Sequence, residues 1–292
     1  MIKKGEIMSA YQETKIHGTI AFPYIVYGAR IPERSDGVAF HWHDEMEIIV
    51  VKEGVINVSV RNTEYIVSSG EIILIHPQTI HAIRQHGEEH SLYFNILFRF
   101  STLETGMDDI CREKYLEPIY TRKLIMPELI SADHPLYALI APVIQKLLIE
   151  PHYQRFHDEL MIKSRLFELM YHITHYCEQA DKSTAYEDIV YEKLKLSLQY
   201  LEKNYAENIT VEKIAAVSNY SESHFSKLFR QLTGDSFTQY LKNYRLEAAA
   251  NRIINESAKI SEIAVSCGFS MLVAKQLAGN DLVFLDLRKR KS

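Results

Sequence analysis

Hydrophobic and polar positions divide this chain into a half with strand-like periods and a half with helical ones. From Ala21 to Phe100, short runs rich in Val, Ile, Tyr and Phe are separated by polar or glycine-containing turns: PYIVYGA, EIIVVKEG, INVSV, EYIVSSG, EIILIHP and LYFNILFRF. Such runs predict strands, and the alternation in Ile56-Asn57-Val58-Ser59-Val60 predicts one buried face and one wet face. Six or more short strands with turn signals about every ten residues predict a sandwich or a closed barrel. After them, Leu136, Leu139, Ile140, Val143, Ile144, Leu147 and Leu148 recur at helical spacing, and Pro142 is expected to kink that helix or to mark its start. Phe156, Leu160, Ile162, Leu166, Leu169, Met170 and Ile173 make a second stripe. These helices are expected to cover the barrel, with pairing to a second subunit as an additional role. The polar run Glu178 to Thr184 has no stripe and is expected to be an interdomain linker.

The rest of the chain is helical throughout. Tyr191 to Tyr205 predicts a helix with Leu194, Leu198 and Leu201 inward, and Ile209 to Arg245 predicts two short helices, a tight turn between them, and a longer third helix. Val211, Ile214, Ala215 and Val217 stripe the first helix. Asn219 suits the turn because asparagine tolerates the left-handed conformation, and Ser221 stands where an N-cap is wanted. The second helix turns Phe225, Leu228 and Phe229 inward and Glu222, Ser223, His224, Ser226, Lys227 and Arg230 outward. This is helix-turn-helix spacing, in which the second helix enters a DNA major groove. An ordinary helical hairpin is the competing reading. A long helix follows from Tyr240 to Ile254, packing through Leu241, Tyr244, Leu246, Ala248, Ala249 and Ile253. Then the segment from Lys259 to Ser270 repeats the first motif at an offset of 49 residues: Ile263 lies on Ile214, Ala264 on Ala215, Gly268 on Asn219, Phe269 on Tyr220 and Ser270 on Ser221. An internal repeat is much harder to obtain by chance than a single copy, and it counts against the hairpin.

Length and composition change this picture little. At 292 residues the chain suits two domains, each able to bury its own core. The net charge of −5 hides an asymmetry: from Glu187 onward there are 15 Lys+Arg against 13 Asp+Glu, and before it 18 against 25. A mildly positive C-terminal half suits DNA, but four of those basic residues are Arg288, Lys289, Arg290 and Lys291 at the very end. Cys111, Cys177 and Cys267 are far apart and odd in number, which argues against a disulfide framework or a zinc ribbon and for a reducing compartment. The N-terminus has no apolar run behind its lysines, and no stretch approaches the roughly 18 apolar residues of a membrane span. A cytoplasmic protein without a membrane partner is expected.

The strand-rich half also carries a set of residues with chemistry: Gly37, His41, His43, Glu47 and Gly54, then Gly70, Pro77 and His81. His41 and His43 are two apart and project to one face of a strand, and Glu47 joins them if the strand stays regular. His81, from a second segment, completes three histidines and a carboxylate, a set that suits a divalent transition metal. The spacing resembles the two motifs of the cupin superfamily, whose small β-barrels hold a metal or a small ligand. The second motif departs from the pattern: the interval from Gly70 to Pro77 is one residue long, and HPQTIH lacks the glycine usual after the proline. Three readings stand side by side: a metal site, a pocket that hydrogen-bonds a sugar or other metabolite, and a set of satisfied barrel histidines.

The pieces IAAVSNYSESHFSKLFRQLTG, SFTQYLKNYRLEAA and ISEIAVSCGFS resemble the DNA-binding domain of the AraC/XylS family of bacterial transcription regulators, in which a long helix joins two helix-turn-helix units. HWHDEMEIIVVKEG and IHPQTIH resemble the cupin-like barrel that most often accompanies it. The resemblance implies an α+β multidomain fold: a cupin-like effector-binding barrel over 1–125, a helical dimerisation and packing region with linker over 126–183, and an all-α DNA-binding domain over 184–292. It implies a non-enzymatic regulator: a homodimer that binds double-stranded promoter DNA and a small-molecule effector, a sugar or related polar metabolite. No cofactor is required, and a divalent metal in the barrel is compatible. Matching the family pattern puts Ser223, Ser226 and Lys227 nearest the bases, with Ser221, Glu222, His224 and Arg230 flanking; it puts the effector, or a metal, at His41, His43, Glu47 and His81. After Ser270 the family pattern breaks. MLVAKQLAGNDLVFLDLRKRKS has Ala274 for Phe225, Leu277 for Leu228, Ala278 for Phe229 and an early Gly279, and Met271, Leu272 and Val273 replace groove-facing polar residues. The second unit is therefore expected to be altered or truncated and to read DNA weakly. The alternatives are a metal-dependent cupin enzyme, such as a dioxygenase or isomerase, and a regulator impaired in DNA binding by its altered end.

Overall fold

The computed structural model describes residues 11–12, 17–32, 37–88, 90–104, 106, 109–149, 158–233, 235–256 and 258–273. Two compact units are present, one spanning Gln12–Asp188 and the other running from Ile189 onward.

The first unit is built on strands β1 (Tyr11–Gln12), β2 (Tyr24–Ile31), β3 (Gly37–Trp42), β4 (Met46–Glu53), β5 (Val55–Val60), β6 (Thr63–Ser68), β7 (Ile72–Ile75), β8 (His81–Gln85), β9 (Ser91–Phe98), β10 (Leu124–Ile125) and β11 (Leu129–Ile130). All of them except β10 form two sheets, ordered β1-β3-β8-β5-β6 and β11-β7-β4-β9-β2. The paired strands from β2 to β9 run antiparallel. Between the sheets lies one core: Ile49, Val51, Ile73, Ile75 and Tyr93 from one face Ile56, Val58, Val60, Val67 and Ile83 from the other. The alternate residues Met46, Ile48, Ile72, Leu74, Ile96 and Phe98 face outward, where α2 (Tyr137–Ile149) and α3 (Asp158–Thr174) cover them. A strand covered on both faces needs apolar residues at every position, which is why β4 reads as the unbroken run EIIVV rather than as an alternation. Before α2, a short helix α1 (Glu117–Tyr120) lies on the way from β9 to β10.

Several expectations are corrected here. Six or more strands were expected between Ala21 and Phe100, and beyond the six clearest runs β3 and β8, which carry His41 and His81, are strands as well. The outer residues of β5 are less wet than the alternation implied, with Asn57 half-buried and Ser59 buried. Pro142 does not start its helix: α2 begins at Tyr137 and runs through it. The polar run Glu178 to Thr184 is not an unstructured linker. Its first residues form β12 (Glu178–Gln179) against β10, and α4 (Lys182–Asn204) has begun before its end. Polar residues are tolerated there because Glu178 and Gln179 sit exposed in a two-stranded ribbon.

The second unit contains the later part of α4, then α5 (Val211–Val217), α6 (Glu222–Thr233), α7 (Phe237–Asn255) and α8 (Ile260–Ser266). Thr210 caps α5 by accepting from the Lys213 N–H, and Ser236 caps α7 by accepting from the Gln239 N–H. Leu194, Leu198, Leu201, Ile214 and Ala215 are buried as expected, and Phe225, Phe229, Phe237 and Tyr240 stack into one aromatic cluster. Leu228 is only partly buried. Ala249, Ile253, Ile263 and Cys267 make a smaller core behind α8. The expected repeat is present in the backbone. Asn219 has φ +55° and Gly268 φ +88°; Tyr220 N–H donates to the Ala215 carbonyl at 3.0 Å, and Phe269 N–H donates to that of Ala264 at 3.1 Å. Even the cap recurs: His224 N–H donates to Ser221 Oγ and Val273 N–H to Ser270 Oγ, both at 3.4 Å. Ala274, Leu277, Ala278, Gly279 and the basic tail lie outside the described residues.

Candidate functional site

The chain brings His41, His43, Glu47 and His81 together. Their ligand-capable atoms all lie within 4.8 Å of one another, and all four residues are buried. The local geometry differs from one regular strand. β3 ends at Trp42, His43 sits in the turn that follows, and Glu47 belongs to β4, on the inward side shared by Ile49 and Val51. A register irregularity between Val38 and His41 precedes the pairing of His41 with His81 across β3 and β8. Gly37 opens β3 with φ +147°, where a β-carbon would lie 2.0 Å from the Ile83 carbonyl oxygen.

Two of the histidines have their ring orientation fixed by the backbone. His43 Nδ1 lies 3.1 Å from the Glu45 carbonyl, and His81 Nδ1 lies 2.8 Å from the Thr79 carbonyl. A carbonyl can only accept, so both rings carry their proton on Nδ1. Each then aims Nε2 at the same carboxylate oxygen, Glu47 Oε2, at 3.1 Å from His43 and 2.8 Å from His81. The His81 contact is close but lacks hydrogen-bond geometry. A neutral imidazole would face an ionised carboxylate acceptor to acceptor, so the arrangement requires a proton or another cation between them. Burial alone would raise the Glu47 pKa; the charge of His81, with the hydrogen bond and charge of His43, outweighs it and holds the carboxyl well below its usual range. Burial and Glu47 together push the nearby Tyr93 hydroxyl upward.

Three neighbours of this set were not singled out from the sequence. Glu45, 1% exposed, pairs with Arg99 Nε at 2.8 Å and has a carboxylate oxygen 3.5 Å from His43 Nδ1. Its signal was available in HWHDEMEI, two residues before Glu47. His17 stacks edge-on against His43 at 5.6 Å between ring centroids and places Nδ1 3.2 Å from the Tyr27 hydroxyl. Nothing in the spacing marks His17 or Tyr93. The missing glycine of the second motif leaves the turn intact: Gln78 takes φ +58° itself, and its N–H donates to the His43 carbonyl at 2.7 Å.

In the second unit the expected outward face is outward. Ser221, Glu222, Ser223, His224, Ser226, Lys227 and Arg230 are all exposed, while Phe225 and Phe229 are buried on the opposite side of α6. His224 packs edge-on against Tyr220 at 4.7 Å, and Lys193 Nζ sits 4.9 Å above the same ring, a basic neighbour of this face that spacing did not suggest. Met271 and Leu272, the counterparts of Glu222 and Ser223 in the repeat, are 58% and 71% exposed.

Residues 24–170 match the family described as AraC-like ligand binding domain, and residues 214–273 match a helix-turn-helix domain. The chain belongs to the AraC family. Its similar proteins include two uncharacterized HTH-type transcriptional regulators of Bacillus subtilis. YbfI is 23% identical over 230 residues, covering 79% of this chain and 78% of the relative; YdeC is 20% identical over 290 residues, covering 96% and 97%. A lactose operon transcription activator of Staphylococcus xylosus is 31% identical over 113 residues, 38% of this chain and 39% of that protein. The structure of ToxT from Vibrio cholerae aligns with a TM-score of 0.41 at 14% identity, over 87% of this chain and 93% of that one. A ligand-binding barrel joined to a helix-turn-helix domain makes this AraC-family chain an effector-responsive, DNA-binding transcription regulator. Among the described residues, no helix is long and apolar enough to cross a membrane.

Proposed function

We propose that this regulator reads promoter DNA with the exposed face of α6 and alters that reading when a small polar effector, a sugar or related polar metabolite, engages His41, His43, Glu47 and His81. The observation that carries the reading is the convergence of these four buried polar side chains beside an otherwise apolar barrel core. A few convergent polar side chains in an otherwise apolar barrel are the arrangement that a small-ligand site requires. The similarity to a lactose operon activator supports a sugar. The relatives named as regulators favour a binding role for the barrel over a catalytic one.

On DNA, Ser223, Ser226 and Lys227 would lie nearest the bases, with Ser221, Glu222, His224 and Arg230 flanking. Lysine and arginine donate to guanine or phosphate, and serine is a less selective contact. A homodimer is part of this reading, and the exposed Leu160, Met161 and Tyr171 of α3 are the surface assigned to it.

A second reading of the barrel rests on the shared Glu47 oxygen. A divalent transition ion held by His41, His43, Glu47 and His81 would supply the positive charge that lies between imidazole lone pairs and carboxylate. The carbonyl bonds at both Nδ1 atoms are the outer contacts that orient histidine ligands. A thermal-shift screen of monosaccharides and of zinc, manganese and ferrous ions, on the full chain and on His41→Ala, tests both readings. A sugar or an ion that raises the melting temperature of the wild type and not of the variant supports the corresponding reading. Equal shifts in both proteins would place the ligand elsewhere and defeat the assignment.

A further inference from the structure

The turn between β7 and β8, residues 76–80, is bonded on one side to the histidine–carboxylate set and on the other to two arginines. Toward the set, Gln78 N–H donates to the His43 carbonyl at 2.7 Å, and the Thr79 carbonyl accepts from His81 Nδ1 at 2.8 Å. Toward the arginines, Arg61 N–H donates to the Ile80 carbonyl at 2.9 Å, and Arg122 Nη1 donates to Thr79 Oγ1 at 3.2 Å. The far end of the turn is pinned too, because His76 Nε2 accepts from the Met126 N–H at 2.8 Å. The two guanidinium groups then meet on one carboxylate. Asp188 Oδ1 pairs with Arg61 and lies 3.0 Å from Arg122 Nε.

Asp188 lies near the start of α4, and the same helix continues to Asn204, into the DNA-binding unit. Stability alone does not explain the clamp. Arg61 and Arg122 occupy left-handed backbone, φ +54° and +56°, which side chains other than glycine and asparagine seldom adopt. Both guanidinium groups are largely buried, and burial with the neighbouring Arg61 charge draws the Arg122 pKa down to about 10, against the opposing pull of Asp188 and Glu128. Two mutually repelling cations are thus held together by one acid, and the structure shows them closed on Asp188.

We propose that Asp188, clamped by Arg61 and Arg122, is the positioning residue through which a change at His41, His43, Glu47 and His81 reaches helix α4. The proposal rests on the barrel set being the effector site, as read above. A ligand that draws in His43 or His81 pulls on Gln78 and Thr79, and with them on the two groups that hold the arginines. A ligand can shift the clamp only by preferring another arrangement of it to the closed one.

The test is hydrogen exchange, read by mass spectrometry on the full chain, with zinc ions as the probe. In the wild type, zinc is expected to slow exchange in residues 41–47 and to change it in residues 182–192 by about fivefold or more, the low end of ordinary coupling between sites. In Asp188→Asn the response at 41–47 stays and the response at 182–192 is lost; Asp188→Glu restores it. Glu192→Gln, which breaks the ion pair of an exposed carboxylate with the buried Lys195 on the same helix, leaves both responses in place. An unchanged α4 response in Asp188→Asn, or a wild-type response that never reaches 182–192, overturns the proposal. Zinc that leaves 41–47 untouched counts against the metal reading of the site alone. The clamp is then decided by a double-mutant cycle of His43→Gln with Asp188→Asn, with Thr79→Val replacing His43→Gln if that variant does not fold. Effects on exchange at 182–192 that fail to multiply independently support the relay, and independent effects overturn it.

Discussion

Replacing Phe229 by alanine probes what holds the reading helix in place. Phe229 is 1% exposed, and its ring centroid lies 5.2 Å from Phe225, 5.7 Å from Phe237 and 5.1 Å from Tyr240, the last two edge-on. Truncating a buried phenylalanine costs roughly 3–5 kcal/mol, and each edge-on pair contributes roughly 0.5–1.5 kcal/mol of that beyond area alone. A unit running from Ile189 to the end of the chain, about 105 residues, has roughly 5–15 kcal/mol of stability in all, so the change removes between about a fifth and the whole of it. Phe229→Leu keeps most of the volume and is expected to cost about 1–1.5 kcal/mol. The chain offers a clean assay, because Trp42 is its one tryptophan and is buried in β3 of the barrel. Tryptophan fluorescence therefore follows the barrel, and helical circular dichroism follows the DNA-binding unit more strongly. With a urea slope of about 1–1.5 kcal/mol/M for a small domain, Phe229→Ala should lower the circular dichroism midpoint by about 2–5 M and leave the Trp42 midpoint in place. DNA affinity should fall with the helical signal. Coincident shifts of both signals, or a helical midpoint displaced by less than about 0.5 M, would refute the view that α6 is held by this cluster within a unit that melts by itself.

Further outcomes follow from the same coordinates. Lys227→Ala should lower the slope of log affinity against log salt by about 0.9, the value of one lost phosphate contact; a salt titration by fluorescence anisotropy that shows an unchanged slope removes Lys227 from the interface. Gly268→Ala should destabilise the second unit by more than about 1 kcal/mol, since φ is +88° and the new carbon would lie 2.8 Å from the Ala206 carbonyl oxygen; a urea midpoint equal to wild type contradicts this. Glu47 has a pKa depressed in the folded chain, so its contribution to stability is complete above the unfolded value near 4.5 and is lost as pH falls through the folded one. The gap in melting temperature between wild type and Glu47→Gln should therefore be constant above pH 4.5 and narrow below it, and a gap that widens in acid reverses the assigned sign.

The strand and helix classes were legible because their periods differ, and so were most of the buried stripes of α2, α3 and α4; Leu139 and Leu160, expected in those stripes, are exposed instead, and Phe156 lies outside the described residues. What the spacing missed has physical causes. β3 (GVAFHW) and β8 (HAIRQ) are short, and each carries a histidine of the candidate site, so neither gives a long apolar run. The run Glu178–Thr184 looked like a linker because neither β12 nor the first turn of α4 needs apolar side chains. At the site, all four residues were identified, although the reason offered for three of them was wrong. His41, His43 and Glu47 do not share a regular strand; the turn after Trp42 puts them on separate elements, and strand pairing, not periodicity, gathers them. His17, Tyr93 and the clamp of Arg61, Arg122 and Asp188 depend on contacts between distant segments, which local spacing does not encode.

The two helix-turn-helix units can now be compared position by position. Their backbones agree through the turn, in the left-handed residue, the carbonyl it frees, and the serine cap of the next helix. The fold of the second unit is thus intact through Val273, where the family match also stops. The difference begins with side chains. Glu222 and Ser223 present polar groups to solvent, whereas Met271 and Leu272 present apolar ones at the same height on the helix. Apolar groups can meet a thymine methyl but make no bidentate contact to a base edge, so these two positions carry little of the readout available to their counterparts. On the proposed reading, a preserved turn with an altered face would supply placement on DNA without much discrimination. If that division holds, Lys227→Ala changes affinity on every sequence while Ser223→Ala and Ser226→Ala change preference among them, and Met271→Ala changes neither preference nor salt slope.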